Sequence, residues 1–194
     1  MSVNTVKQTS KKVYNPFALF ITPYNGNDIG TETYKLEEVV RDTTSISQDD
    51  PEENSIENEF SAEPLINNVD AGKYNFATNV GDMQGELLSK LAGFTYDTSN
   101  KFAYAPKSYT EVFAKVELVF KDGASNYVAA VLPKVQLNSK ALLESINTSI
   151  GQIAITGVAY SGVVGVAGAG VEAPFYIDYA WTEATGGNYV KAGL

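Results

Sequence analysis

The chain of 194 residues contains no cysteine, no histidine and one arginine, Arg41. Each gap removes chemistry. Without cysteine a disulfide scaffold is excluded, and cysteine usage leaves the redox compartment undetermined. Without histidine and cysteine, the commonest general base, the commonest nucleophile activator and the two usual zinc ligands are missing. Fourteen cations against 23 carboxylates give a net charge of −9, the wrong sign for a protein that grips phosphates through a basic stripe. Long hydrophobic runs are also scarce. FALFIT near the start is shorter than a signal-peptide core and ends at Pro23, so no export signal is expected. The run without charge between Glu144 and Glu172 includes six glycines, Asn147, Gln152 and Tyr160. With no basic flank following it, it is not expected to span a membrane.

What the chain does contain is apolar material for one core, 44% of its residues, without a Pro/Gly/Ser linker dividing it. A single domain over 1–194 is expected. Its charge is concentrated: from Asp28 to Glu63 there are twelve carboxylates against Lys35 and Arg41, so this segment carries ten net negative charges and the remainder is close to neutral. Within it, DTTSISQDDPEENSIENEF (Asp42 to Phe60) is interrupted by Ile46, Ile56 and Phe60 and flanked by strand-like runs. That pattern predicts a projecting hairpin tied down at both ends rather than a free acidic tail.

Around this stretch, period-two patterns dominate. Residues 1–15 are polar and aperiodic and read as an arm. Phe17 to Thr22, bounded by Pro16 and Pro23, reads as a buried strand, followed by a turn at Tyr24 to Asp28. Tyr34 to Ser47 is rich in Thr, Val, Ile and Tyr, as is a pleated surface, and Ser55 to Phe60 reads as a returning strand. In Gly72 to Val80, Tyr74, Phe76 and Val80 share one face while Lys73, Asn75 and Asn79 share the other. Asp82 has the character of an N-cap, Met83, Leu87, Leu88 and Leu91 form an apolar stripe, and Gly93 suits a left-handed stop, which predicts one helix near Asp82 to Ala92. Phe94 to Ala105 reads as a hairpin. Glu111 to Lys121 reads as the longest strand, with Val112, Ala114, Val116, Leu118 and Phe120 facing one way and Glu111, Lys115, Glu117 and Lys121 mostly the other; Tyr127 to Leu137 returns antiparallel, with Pro133 marking a bend or an edge. Asn138 to Asn147 suggests a short helix, and Ile150 to Tyr160 and Ala173 to Trp181 read as strands around the glycine-rich connection Ser161 to Gly170.

No motif carries catalysis. Asp49-Asp50-Pro51-Glu52-Glu53 lacks the alternation and the glycine of a calcium loop. No carboxylate pair stands out from the 23 as an acid/base couple, and the glycine cluster lacks the Lys-Ser/Thr of a phosphate loop. Neither enzyme activity nor a cofactor is expected. Tyr176, Tyr179 and Trp181 leave open a carbohydrate- or protein-binding sandwich, although alternating aromatics more often fill a core.

The order of elements, the acidic DTTSISQDDPEENSIENEF loop, the helix DMQGELLSKLAGF and the hairpin EVFAKVELVFKDGASNYVAAVLPKVQL followed by Asn138-Ser139 resemble, over roughly 34–182, the major tail protein (tail tube protein) of long-tailed bacteriophages. The resemblance implies a mainly β, antiparallel sandwich or barrel flanked by one principal helix. It implies homo-hexameric rings stacking into a tube in the virion tail, assembled in the host cytoplasm, through which double-stranded DNA passes without specific binding. Tape-measure, tail-terminator and baseplate proteins would be its partners, and no membrane is involved. Tube proteins of contractile injection machines and type VI-like secretion systems share the implied fold and are the alternative. By position, the arm at 1–15 and the loop at 42–58, with Thr43, Ser45, Ile46, Gln48, Asp49, Asp50, Glu52 and Glu53, would bridge neighbouring copies. Deleting Thr43 to Ser55 is then expected to leave a folded subunit that assembles poorly. Glu57 and Glu59, on one polar side of the returning strand, would add two negative charges per copy to the lumen.

Overall fold

The computed structural model describes residues 15–56, 66–81, 84–108, 110–122, 126–142, 151–164, 170–182 and 189–191. The chain runs through β1 (Asn15–Asn25), β2 (Asp28–Ile29), β3 (Thr33–Leu36), β4 (Ser45–Gln48), β5 (Glu52–Ile56), β6 (Ile66–Asp70) and β7 (Tyr74–Val80) to the helix α1 (Gly85–Ala92). It continues through β8 (Thr95–Asp97), β9 (Phe102–Tyr104), β10 (Val112–Lys121), β11 (Tyr127–Leu142), β12 (Gln152–Tyr160), β13 (Gly162–Val164), β14 (Val171–Ala173), β15 (Tyr176–Asp178) and β16 (Tyr189–Lys191). The fold is mainly β and antiparallel, with one helix among the described residues at its side, as the sequence pattern and the resemblance both suggest.

The main sheet has the order β16-β3-β1-β10-β11-β12-β7-β4, with β15 beside β11 and β2 beside β1. It curls almost onto itself. Three residues after β3, Val39 bridges Val80 of β7, the Val40 amide donates to the Asn79 carbonyl (2.9 Å), and the Gly81 amide donates to the Glu38 carbonyl (2.7 Å). The two ends of the sheet therefore enclose one core, in which Leu19, Ile21, Leu36, Phe76, Val116, Leu132, Ile153 and Ile155 meet Leu87, Leu88 and Leu91 of α1. Closure of this kind leaves fewer bare edges than an open sheet of the same size.

α1 closes one end of the curl, where Leu91, Ala92 and Phe94 lie with Val112 and Leu137 around one pocket. Gly93 stops the helix at φ 67°, and its amide donates to the Leu88 carbonyl, as its position in the sequence predicts. The start differs from the predicted one. Gln84, in extended conformation, occupies the N-cap position and the helix begins at Gly85; Asp82 lies outside the described residues. A residue bulkier than glycine at 85 would collide with the Tyr96 ring, since its Cβ would fall 2.3 Å from the nearest ring carbon. Tyr96 thus fixes where the helix enters.

Four further expectations change. β1 runs through both prolines, with a register shift between Pro16 and Ala18 in its pairing with β10. β11 extends through Leu142, where Asn138 to Leu142 pair with Gln152 to Thr156, so the first half of the predicted helix at Asn138 to Asn147 is strand; 143–150 lie outside the described residues. Its apolar spacing suits either period, and the long partner strand decides. In β10 the buried set changes phase: Ala114 and Val116 face the main core, but Glu117 and Val119 are buried on the opposite side. The sheet is covered on both faces there, by the core inside and by Phe20, Val119, Ala129, Val131 and Trp181 outside. The strand expected over Tyr34 to Ser47 is broken into β3 and β4 by a turn in which Asp42 takes φ 62°. No helix among the described residues is long and apolar enough to cross a membrane.

The β8–β9 turn carries a pH-dependent element. The Asp97 carboxylate accepts from the Ser99 and Asn100 amides (both 2.9 Å) and from Asn100 Nδ2 (2.8 Å). The bonds from Asn100 hold its pKa below the ordinary value. A lowered carboxyl pKa contributes stability above the unfolded value, lost as pH falls through the folded one. The Ser99 and Asn100 amides are therefore expected to lose exchange protection only below the ordinary Asp range, about pH 3.9. Early loss of this protection at pH 5, followed by NMR, would contradict the assignment.

Candidate functional site: an uncharged amide and hydroxyl face

The two outer sides of the curled sheet differ. Over β1, β10, β11 and β15, the outside is covered by Trp181 of the chain following β15: 3% exposed, it packs on Phe20 (ring centroids 5.5 Å) and Tyr127 (5.4 Å). Beneath it, Glu117 is buried between Phe20 and Val131 of the neighbouring strands. Its Oε1 pairs with Lys115 Nζ at 2.9 Å, whereas Oε2 and Trp181 Nε1 have no hydrogen-bond partner among the described residues. Burial, then Glu117 and Asp178, push the Tyr176 phenol up to about 12. With Trp181 buried and Tyr176 half-buried, Tyr176, Tyr179 and Trp181 form no shared exposed platform for a sugar or protein, the alternative left open by the sequence; of the three, Tyr179 alone stands exposed.

Over β11, β12, β7 and β4, no other described element covers the outside, and period two sets the composition of this bare face. Inward residues Phe76, Thr78, Val80, Ile153 and Ile155 are buried. Their outward neighbours form cross-strand rows: Ser47, Asn75, Val158 and Gln136 in one, and Ser45, Ala77, Thr156 and Asn138 in the next. A third row holds Asn79, Ala154 and Lys140. In a chain of net charge −9, the first two rows carry no charge at all.

The side chains bond mostly to one another or to the local backbone. Asn79 Nδ2 donates to Gln152 Oε1 (3.2 Å), Tyr160 Oη to Gln136 Oε1 (2.9 Å), Gln136 Nε2 to Glu111 Oε1 (3.2 Å) and Thr156 Oγ1 to the Asn138 carbonyl (3.1 Å). The first two rows remain hydrated while presenting no fixed cation to a phosphate chain and little net charge to repel it; Lys140 stands in the third.

The chain matches no protein-family model and no curated protein sequence.

The residues assigned by sequence to one bridging loop occupy three settings. Thr43 stitches the connector to β7: its Oγ1 donates to the Val40 carbonyl (2.7 Å) and accepts from the Asn79 amide (3.0 Å). Ser45, Ile46 and Gln48 belong to β4, an edge strand of the main sheet, with Ile46 against the core and Ser45 and Ser47 on the bare face. Asp49 is still tied in, its amide to the Lys73 carbonyl (2.9 Å) and its carboxylate to Asn75 Nδ2 (2.7 Å). A Cβ on Gly72 would fall 1.7 Å from the Asp49 carbonyl oxygen, so glycine is required at that crossing. Asp50, Glu52 and Glu53 are exposed, the last two on β5, which among the described residues pairs only with β6 in a separate two-stranded sheet. The hairpin thus begins near Asp50, not at Asp42. Glu57, Glu59 and the arm up to residue 14 lie outside the described residues.

The bare face was legible as Asn75 and Asn79 opposite Phe76 and Val80. What sequence reading passed over was its breadth. The strands that complete it are distant in sequence, and Gln136, Asn138 and Thr156 carry no mark of a common surface until register aligns them.

Proposed function

We propose that this chain is a self-assembling structural subunit, the tail tube protein of a long-tailed bacteriophage, whose stacked rings form a conduit for DNA. The observation that carries this reading is the two cross-strand rows of amide, hydroxyl and apolar residues over β4, β7, β12 and β11, uncharged within an acidic chain. A conduit wall should hold no phosphate, because each weak attraction would be repeated along the whole tube. We place the Asn75, Thr156 and Asn138 rows on the lumen side, with the acidic β5–β6 hairpin turned to neighbouring copies. The sequence resemblance supports the same assignment. The open outer edge of β4, unpaired among the described residues, gives an assembling copy a row of backbone donors and acceptors.

Electron micrographs of the purified protein at rising concentration are expected to show rings and then tubes. In such tubes N75K/N138K/T156K, three exposed or half-exposed positions on the lumen side, should retain short duplex DNA at low salt and release it as salt rises. A strict monomer at every concentration would overturn the reading, as would triple-variant tubes that retain no more DNA than the wild type.

A further inference from the structure

The first uncharged row does not stop at Gln136, which pairs onward with Phe113 of β10. Two residues before Gln136, on the same outward side of β11, stands Lys134, paired with Tyr160 of β12. A lysine there is at odds with a wall that should hold no phosphate. Its ammonium, however, faces rings. Lys134 Nζ lies 5.0 Å from the centre of the Phe113 ring and 5.7 Å from that of Tyr24, both within the roughly 6 Å over which a ring face attracts a cation. The rings are held in turn. Tyr24 Oη donates to the Pro133 carbonyl (3.0 Å), Phe113 and Tyr160 meet edge to face (ring centroids 6.1 Å), and the Tyr160 hydroxyl donates to Gln136 Oε1 (2.9 Å). Lys134 is half-buried, whereas Lys140, further along the same side of β11, is exposed.

We propose that Tyr24 and Phe113 form an aromatic box that keeps the Lys134 ammonium out of reach of a polyanion passing over the first row. This rests on the conduit reading and names the residues that set the wall's indifference to phosphate at this end. The box leaves the charge in place but fixes where it sits. A lysine grips a phosphate by bringing its compact ammonium, on a flexible four-carbon stem, into direct contact and displacing counterions. An ammonium lodged against two ring faces has given up that freedom, and it must leave both rings before it can meet the phosphate.

Two measurements test this. On the subunit, a sulfonated succinimidyl ester, an anionic amine reagent whose sites are read by mass spectrometry, should modify Lys134 about tenfold more slowly than Lys140, the factor that a cation–π contact of ordinary strength corresponds to. Y24L/F113L keeps apolar side chains but removes both rings, and it should bring the two rates together. In tubes, Y24L/F113L should retain more short duplex DNA at low salt than the wild type, and K134Q added to it should return retention to the wild-type level. F113L alone, which removes the nearer ring, carries the same expectations in smaller measure should the double variant lose its far-ultraviolet spectrum. Equal labelling of Lys134 and Lys140 in the wild type would show the lysine reaching past the rings along its stem and overturn the box. Ring-variant tubes that retain no more DNA than wild-type tubes, or that keep an excess after K134Q, would overturn its role while leaving the conduit standing, whereas a wild type that never forms tubes removes both.

Discussion

Deleting Thr43 to Ser55 is expected to unfold the subunit rather than merely to disable its assembly. The deletion removes β4, with its pairing to β7 over Ser45 to Gln48. It also removes the Thr43 bonds to Val40 and Asn79, the Thr44–Thr78 hydroxyl contact at 2.8 Å and the Asp49–Lys73 backbone bond. Each net hydrogen bond is worth about 1 kcal/mol, and losing the Ile46 side chain from the core adds roughly 1–2 kcal/mol. The sum is on the order of 5 kcal/mol, a large share of the ~5–15 kcal/mol that holds a domain folded. By contrast D50N/E52Q/E53Q touches only exposed side chains and should shift stability by no more than about 0.5 kcal/mol. Urea unfolding followed by far-ultraviolet circular dichroism separates the two. A deletion variant as stable as the wild type would show that β4 contributes little to the sheet.

The second large effect is expected at Lys115. Its ammonium is the partner of Glu117 Oε1, and the Glu117 side chain is 3% exposed against 21% for Lys115. Breaking a buried pair from one side leaves an uncompensated charge, which costs about 3–5 kcal/mol. Since Lys115 keeps some access to water, the lower end, about 3 kcal/mol, is the expected loss for Lys115→Met. Removing both charges should behave differently. K115M/E117L replaces the pair by apolar groups between Phe20 and Val131, and such replacements are often neutral or stabilising, so the double variant should recover most of the loss. Trp181, the single tryptophan, packs on the same cluster and reports the unfolding by its fluorescence. Equal stability of wild type and K115M would mean that Glu117 is solvated in a way its burial does not indicate.

These two cases show where sequence and tertiary structure divide the work. The β class, the helix with its Gly93 stop, the β10–β11 pairing and the alternation of β7 were fixed locally, because period two, period 3.6 and left-handed glycine leave marks within a dozen residues. The composition likewise excluded histidine and thiol chemistry from the start. Other features had no such mark. Glu117 reads as the polar side of β10, and it is buried because the chain after β15 crosses the outside of the sheet. Ser45 to Gln48 reads as part of an acidic loop, and it is an edge strand because Asn75 to Ala77 offer it a free ladder. Asn138 to Leu142 reads as helix, and it is strand because β12 lies beside it. In each case the deciding partner is some 30 or more residues away or, for 138–142, arrives only with the next strand. Local propensity is worth tenths of a kcal/mol per residue. A paired and buried neighbour is worth several times more, and only the folded chain determines which neighbour that is.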